Sequence, residues 1–139
     1  MKLNYSGDVP SQTVNAEWYS GQVWTTALAE SEAPQRLHVV LATFAPGART
    51  AWHTHPYGQI LIATSGSGRV QLAGEPAKTL NPGDSVTIAP GERHWHGAGP
   101  DQVFTHISIQ GARPDGTMAD WSDLVTDEVY AQAARETHS

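Results

Sequence analysis

The clearest pattern in this chain is a succession of short apolar runs, each closed by glycine or proline. Leu37-His38-Val39-Val40-Leu41-Ala42-Thr43-Phe44 is rich in β-branched residues and stops at Ala45-Pro46-Gly47. Gln59-Ile60-Leu61-Ile62-Ala63-Thr64 stops at Ser65-Gly66-Ser67-Gly68, and Arg69-Val70-Gln71-Leu72 at Ala73-Gly74-Glu75-Pro76. Ser85-Val86-Thr87-Ile88 stops at Ala89-Pro90-Gly91, and Val103 to Ile109 alternates again. Short strands at regular spacing, with turn signals between them, predict an all-β sandwich or barrel. Asn81-Pro82-Gly83-Asp84 is a turn by its chemistry, because proline presets φ and glycine supplies φ > 0. A helix is predicted only near the end, at about 126–135. There Thr126 can cap, Asp127 and Glu128 suit the positive N-terminus, and Val129-Tyr130-Ala131-Gln132-Ala133-Ala134 follows.

Length and composition narrow this picture. The 139 residues suffice for one domain with a real core, 1–139, whose barrel is expected at about 36–110. With no cysteine, disulfides, iron–sulfur clusters and cysteine-based zinc are excluded. The opening MKLNYSGDVPSQ has no apolar core of a signal peptide, and no apolar run approaches the roughly 20 residues of a membrane span. A cytoplasmic protein is expected. Its net charge of −6, with scattered Lys and Arg, speaks against nucleic acid and anionic membrane as partners.

The chemistry lies in the histidines. Six of the seven fall between residues 38 and 106, and His53-Thr54-His55 and His94-Trp95-His96 form i, i+2 pairs. Side chains alternate along a strand, so each pair turns both rings to one side. Two such pairs on strands far apart in sequence are what a metal site inside a barrel needs, and neutral imidazole is the commonest protein metal ligand. His106 is a conflict. Its parity is shared by Ser108 and Gln110, whereas Ile107 and Ile109 take the other face, so plain amphipathic logic sends His106 out to water. A polar interior inverts that logic, turning His106 inward and leaving the isoleucine face for a second sheet or a subunit contact. Trp52 and Trp95 flank the histidines at opposite parity and are expected to pack behind the site. Tyr57 is equally placed for the cavity mouth or the barrel rim. His38 reads as an exposed or edge residue and His138 as part of the tail.

Gly47, His53, His55, Gln59 and Gly66 closely resemble the first cupin motif, G-x5-H-x-H-x3,4-E-x6-G, with Gln59 where glutamate is usual. Gly83, Gly91 and His94 resemble the second motif. Pro90 stands one place late there, and Ala98 replaces the usual asparagine. The resemblance implies a cupin double-stranded β-helix, a small jelly-roll barrel, with a short C-terminal helix. The runs Gly47 to Pro56, Pro90 to Ala98 and Thr105-His106, with Asp120-Trp121 and Val125 to Glu128, further resemble the bacterial manganese-dependent hydroxynitrile lyases of the cupin type. That likeness implies one divalent ion on His53, His55, Gln59 and His94, and proton transfer by His106 and His96. Mn2+ is expected first, with Fe2+, Zn2+, Ni2+ or Co2+ as alternatives. The implied reaction is cleavage or formation of a cyanohydrin, a small-molecule substrate. Family habit and the exposed isoleucine faces imply a homodimer or homotetramer.

Gln59 changes the chemistry. Three neutral imidazoles and a neutral amide leave a divalent ion its full charge and so a stronger Lewis acid. The two-histidine, one-carboxylate triad of iron oxygenases is absent, which tilts the site toward acid–base chemistry on an oxygen. A metal-dependent dioxygenase and a non-catalytic metal- or ligand-binding cupin are the alternatives. The first predicts oxygen consumption, the second binding without turnover.

Overall fold

The computed structural model describes residues 1–136, so His138 lies outside the described residues. The strands run in chain order as β1 (Gln12–Thr13), β2 (Tyr19–Ser20), β3 (Val23–Glu30), β4 (Leu37–Phe44) and β5 (Arg49–Thr50). β6 (His53–Thr54), β7 (Gln59–Gly66), β8 (Gly68–Leu72) and β9 (Lys78–Leu80) follow. Then come β10 (Ser85–Ile88), β11 (His94–Ala98), β12 (Phe104–Gly111), β13 (Asp120–Trp121) and the helix α1 (Asp127–Glu136). Among the described residues no helix is long and apolar enough to cross a membrane.

Antiparallel pairing builds two sheets. One has the order β1-β3-β4-β12-β7-β10, the other β13-β6-β11-β5-β2 with β8 beside β11 and β9 beside β8. Curled against each other, they bury Val23, Phe44, Leu61, Val70, Leu80, Ile88 and Phe104 as a common core. The all-β barrel with one C-terminal helix matches the expected fold class. β4 and β10 match their sequence runs residue for residue.

Strands also form outside the 36–110 stretch. β3 pairs with β4 along most of its length, and β13 pairs with β6. β3 left little trace in the hydrophobic pattern because the residues that share the parity of Val23, Thr25 and the exposed Ala27, are small; they pair with Ala42 and Val40. Such small side chains give almost no contrast between faces.

The helix docks behind the seven-stranded sheet. Thr126 Oγ1 accepts the Val129 N–H at 3.1 Å, the expected cap. Arg49, buried in β5, donates to Val125 O at 2.7 Å and to Asp127 at 2.9 Å and lies over the Tyr130 ring. Trp95 is fully buried there with Val125, Tyr130 and Ala133, and Trp52 packs against the same cluster. Both tryptophans therefore sit behind the histidines. Tyr57 lies 58 % exposed on the surface and does not line the cavity. His38 sits partly exposed beside Glu30.

Candidate metal centre

Sheet parity decides where the histidines go. In β12 the inward row is Phe104, His106, Ser108 and Gln110, each buried, while Thr105, Ile107 and Ile109 face outward. The polar row thus faces the interior, against simple amphipathic expectation. Its partners supply the reason: His106 lies across from the small, buried Ala42 and Ala63, and Ala42 lines the same cavity. β11 contributes His94 and His96, and His53 of β6 pairs directly with His94. His55 follows in the turn, whose Gly58 has φ +80; a Cβ there would fall 2.6 Å from Ile88 O, so this sharp entry into β7 requires glycine.

A cavity of about 550 Å³ opens onto this cluster. His53, His55, Gln59, His96 and His106 line its floor, and all are under 7 % exposed. Its walls come from Phe44, Met118, Trp18 and Trp121. The two tryptophan rings stack with centroids 5.2 Å apart, and Trp121 also lies 4.5 Å from the His53 ring. No Asp, Glu, Lys or Arg lines the cavity among the described residues. His94 closes the cluster from behind, fully buried.

Hydrogen bonds fix the imidazoles. His53 Nδ1 donates to Ala51 O at 2.8 Å, His55 Nδ1 to Met118 O at 2.9 Å and His94 Nδ1 to Glu92 O at 2.9 Å. A carbonyl only accepts, so each Nδ1 carries the proton and each Nε2 keeps its lone pair. Backbone carbonyls behind the ring are the usual orienting partners of metal-ligating histidines. Burial also holds the rings neutral. It lowers His94 to a pKa of about 4 and lowers His55, and pushes His53 well below its ordinary value, with the His94 and His55 charges adding to the effect.

The atoms facing inward are a poor match for one another alone. Gln59 Oε1 lies 3.1 Å from His94 Nε2, two acceptors with no proton between them. His55 Nε2 is buried with no partner at all. Two ligands of one divalent ion at about 2.1 Å would sit roughly 3.0–3.5 Å apart, so a cation resolves both features. The residues present fit a metal ion.

Two sets of donors compete. Ring nitrogens of His53, His94 and His96 lie within 4.8 Å of one another, a buried group able to hold a divalent metal. By ring centroids His55 stands nearer, 4.9 Å from His53 and 5.5 Å from His94, against 5.4 and 5.8 Å for His96. His96 differs from the others in its second nitrogen. No carbonyl orients it; instead His96 Nδ1 shares a hydrogen bond with His106 Nε2 at 2.9 Å. His96 Nε2 and His106 Nδ1 are buried without partners. Burial lowers His96 far below its ordinary pKa and His106 to about 4, so the pair shares a single proton across that bond.

The structure therefore brings His53, His55, Gln59, His96 and His106 to one cavity, with His94 packed behind them against Gln59. Sequence reasoning missed Gln110, whose Oε1 accepts from Gln59 Nε2 at 3.0 Å, although its parity with His106 marked it as inward-facing. It also missed the wall formed by Trp18, Met118 and Trp121. No local signal revealed that the loop residues Trp18 and Met118, and Trp121 of β13, return to the cavity.

Comparison with known proteins agrees with this geometry. The cupin-domain family profile matches residues 40–108. An (R)-mandelonitrile lyase of Granulicella tundricola is 45% identical over 130 residues, covering 94% of this chain and 98% of that protein. A crystal structure of a cupin-like protein from Thermotoga maritima superposes with a TM-score of 0.80 at 40% identity, over 90% of this chain and 92% of that one. A polyketide cyclase from Streptomyces resistomycificus shares the fold at 18% identity, with a TM-score of 0.74 over 98% of this chain and 97% of its own.

Proposed function

The chain belongs to the cupin family, and from that premise we propose that it is a metal-dependent carbon–carbon lyase that cleaves and forms cyanohydrins. One divalent ion, Mn2+ first among the candidates, is held by His53, His55, Gln59 and His94. The observation that carries this reading is the inward set of lone pairs: three Nε2 atoms fixed by backbone carbonyls and an amide oxygen set acceptor-to-acceptor against His94. Such an ion supplies a Lewis acid that acidifies a hydroxyl placed against it.

The protein's own groups do the rest. Trp121, Phe44 and Met118 give the substrate body an apolar wall beside the polar floor. The uncharged lining suits a neutral hydroxy compound, and the neutral ligand set leaves positive charge for the anion that departs. His106 and His96 work as one acid–base unit. The unit takes the hydroxyl proton, the C–C bond breaks with its electron pair going to cyanide, and His96 returns the proton to give hydrogen cyanide and an aldehyde. Base catalysis by a placed histidine contributes about 10²–10⁴-fold.

The relative's name supports a lyase, and the absence of a lining carboxylate favours this reading over the oxygenase alternative. The test is elemental analysis of the purified protein, then racemic mandelonitrile with and without added Mn2+, monitored for aldehyde. Metal-dependent aldehyde release is expected; a metal-loaded protein with no release rejects the lyase.

A cytoplasmic location and self-association belong to the same proposal. On the outer sheet face Ile107 pairs with Leu41 and Ile62, and Ile109 with Val39 and Ile60. This uncharged row, on a chain of net charge −6, suits an isologous contact with a second copy. Sedimentation should show a dimer or tetramer, and a monomer rejects it.

A further inference from the structure

A carboxylate at position 59 would offer a cation two equivalent oxygens. An amide offers one oxygen and one NH2 group, and only one of its two flips aims an acceptor inward. A site that uses Gln59 therefore needs a device that fixes the flip.

β12 supplies one. Because Ile109 lies across from Ile60, the buried Gln110 comes beside the buried Gln59, and Gln59 Nε2 donates to Gln110 Oε1 at 3.0 Å. Gln110 is itself fixed, for its Nε2 faces His38 O at 3.4 Å and the Met118 sulfur at 3.8 Å, neither of which can donate. A chain of acceptors thus runs from the β4 backbone through two amides to the histidine cluster.

We propose that Gln110 is the positioning residue of the metal centre, holding Gln59 Nε2 on its own Oε1 so that Gln59 Oε1 stays aimed at the ion. The inference rests on the metal reading above. Without the Gln110 oxygen, the Gln59 NH2 group loses its buried acceptor. Flipping the amide then satisfies it, because the NH2 would meet the His94 Nε2 lone pair across the same 3.1 Å. That hydrogen bond would hold the metal-free state closed and compete directly with the ion.

The test is a double-mutant cycle read by calorimetric titration of Mn2+ into the metal-free full chain. It compares the wild type with Gln110→Met, which keeps length and removes the acceptor oxygen, with Gln59→Glu, and with both together. Gln110→Met alone should weaken Mn2+ binding about 10–100-fold, the scale of lost orienting partners. In the Gln59→Glu background a flip has no consequence, so adding Gln110→Met should leave binding within about twofold, as for independent sites, or tighten it. Equal losses in the two backgrounds would reduce Gln110 to packing and overturn the proposal, as would no loss in the wild-type background. Should Gln110→Met lack the wild-type circular dichroism spectrum, Gln110→Ala takes its place in the same cycle with the same outcomes. A wild type that binds no Mn2+ overturns the metal reading itself, whereas a binding wild type with an unaffected Gln110→Met overturns only the role of Gln110.

Discussion

The two ends of the barrel interior are made by the same strands and obey opposite rules. β12 enters with Phe104 and continues inward with His106, Ser108 and Gln110; β7 begins with Gln59 and continues with Leu61 and Ala63; β11 begins with His94 and His96 and ends with Ala98. Because neighbouring strands are antiparallel, Phe104 meets Phe44 at one end and Gln110 meets Gln59 at the other, with Leu61 opposite Ser108 between them. At the apolar end stability comes from area removed from water. At the polar end buried imidazoles and amides must instead be satisfied by hydrogen bonds, and those left over point into the cavity. One end holds the fold together; the other stores unsatisfied lone pairs for a ligand.

Separating the two ends is the first way to sharpen that contrast. His53→Ala combined with His55→Ala should abolish metal binding while the circular dichroism spectrum stays β-rich. Metal content equal to the wild type in that variant would contradict the division. Next in size, His106→Ala should keep metal and fold yet lose about two or more orders of magnitude in cleavage rate. His96→Ala should lose a similar amount, and the double variant little more, because residues that act as a unit are not additive. Multiplied losses in the double variant would mean that the two rings work separately.

The converse experiment breaks the apolar core beside the site. Leu61→Ala should cost about 2–5 kcal/mol of stability, measured by denaturant unfolding, because Leu61 is 1% exposed and its removal leaves a cavity. Metal stoichiometry of the folded fraction should not change, and loss of metal would show the two ends to be one unit.

The polar end also gives the metal-free protein its own pH dependence. Burial lowers the folded pKa of His94 and His106 to about 4, against an unfolded value of about 6.5. Between those values the unfolded chain binds more protons than the folded one, so stability rises with pH. It should therefore be fully present above about pH 6.5 and fall as pH drops toward 4. Melts that are flat across that window would show the rings to be solvated. Smallest in effect on binding, Gln59→Glu should keep or tighten Mn2+ affinity yet slow cleavage, since a carboxylate weakens the Lewis acid. A faster variant would count against Lewis-acid chemistry.

How much of this was legible in the sequence follows from range. β4 and β10 were readable because Val, Leu and Ile alternate within a few residues of clear turns. β3 was not, because threonine and alanine give no contrast. The histidine pairs and Gln59 announced a site by spacing. The inward turn of His106 required weighing a polar interior against its strand's isoleucines, and the structure places Ile107 opposite Leu41 and Ile62, and Ile109 opposite Val39 and Ile60, on the outer face. Gln110 carried the right parity, but its bond to Gln59 depends on the register between β7 and β12, and strands 51 residues apart at the bond leave no local trace of register. The cavity wall from Trp18 and Trp121 is longer-range still.

Two histidines compete to complete the metal site: His96, whose ring nitrogen lies within 4.8 Å of those of His53 and His94, and His55, whose carbonyl-fixed ring keeps an unpartnered Nε2. Elemental analysis of His55→Ala and His96→Ala, each purified with Mn2+ present throughout, decides it. His55→Ala should emerge depleted of metal and His96→Ala loaded. A loaded His55→Ala beside a depleted His96→Ala would contradict a metal site built on His55.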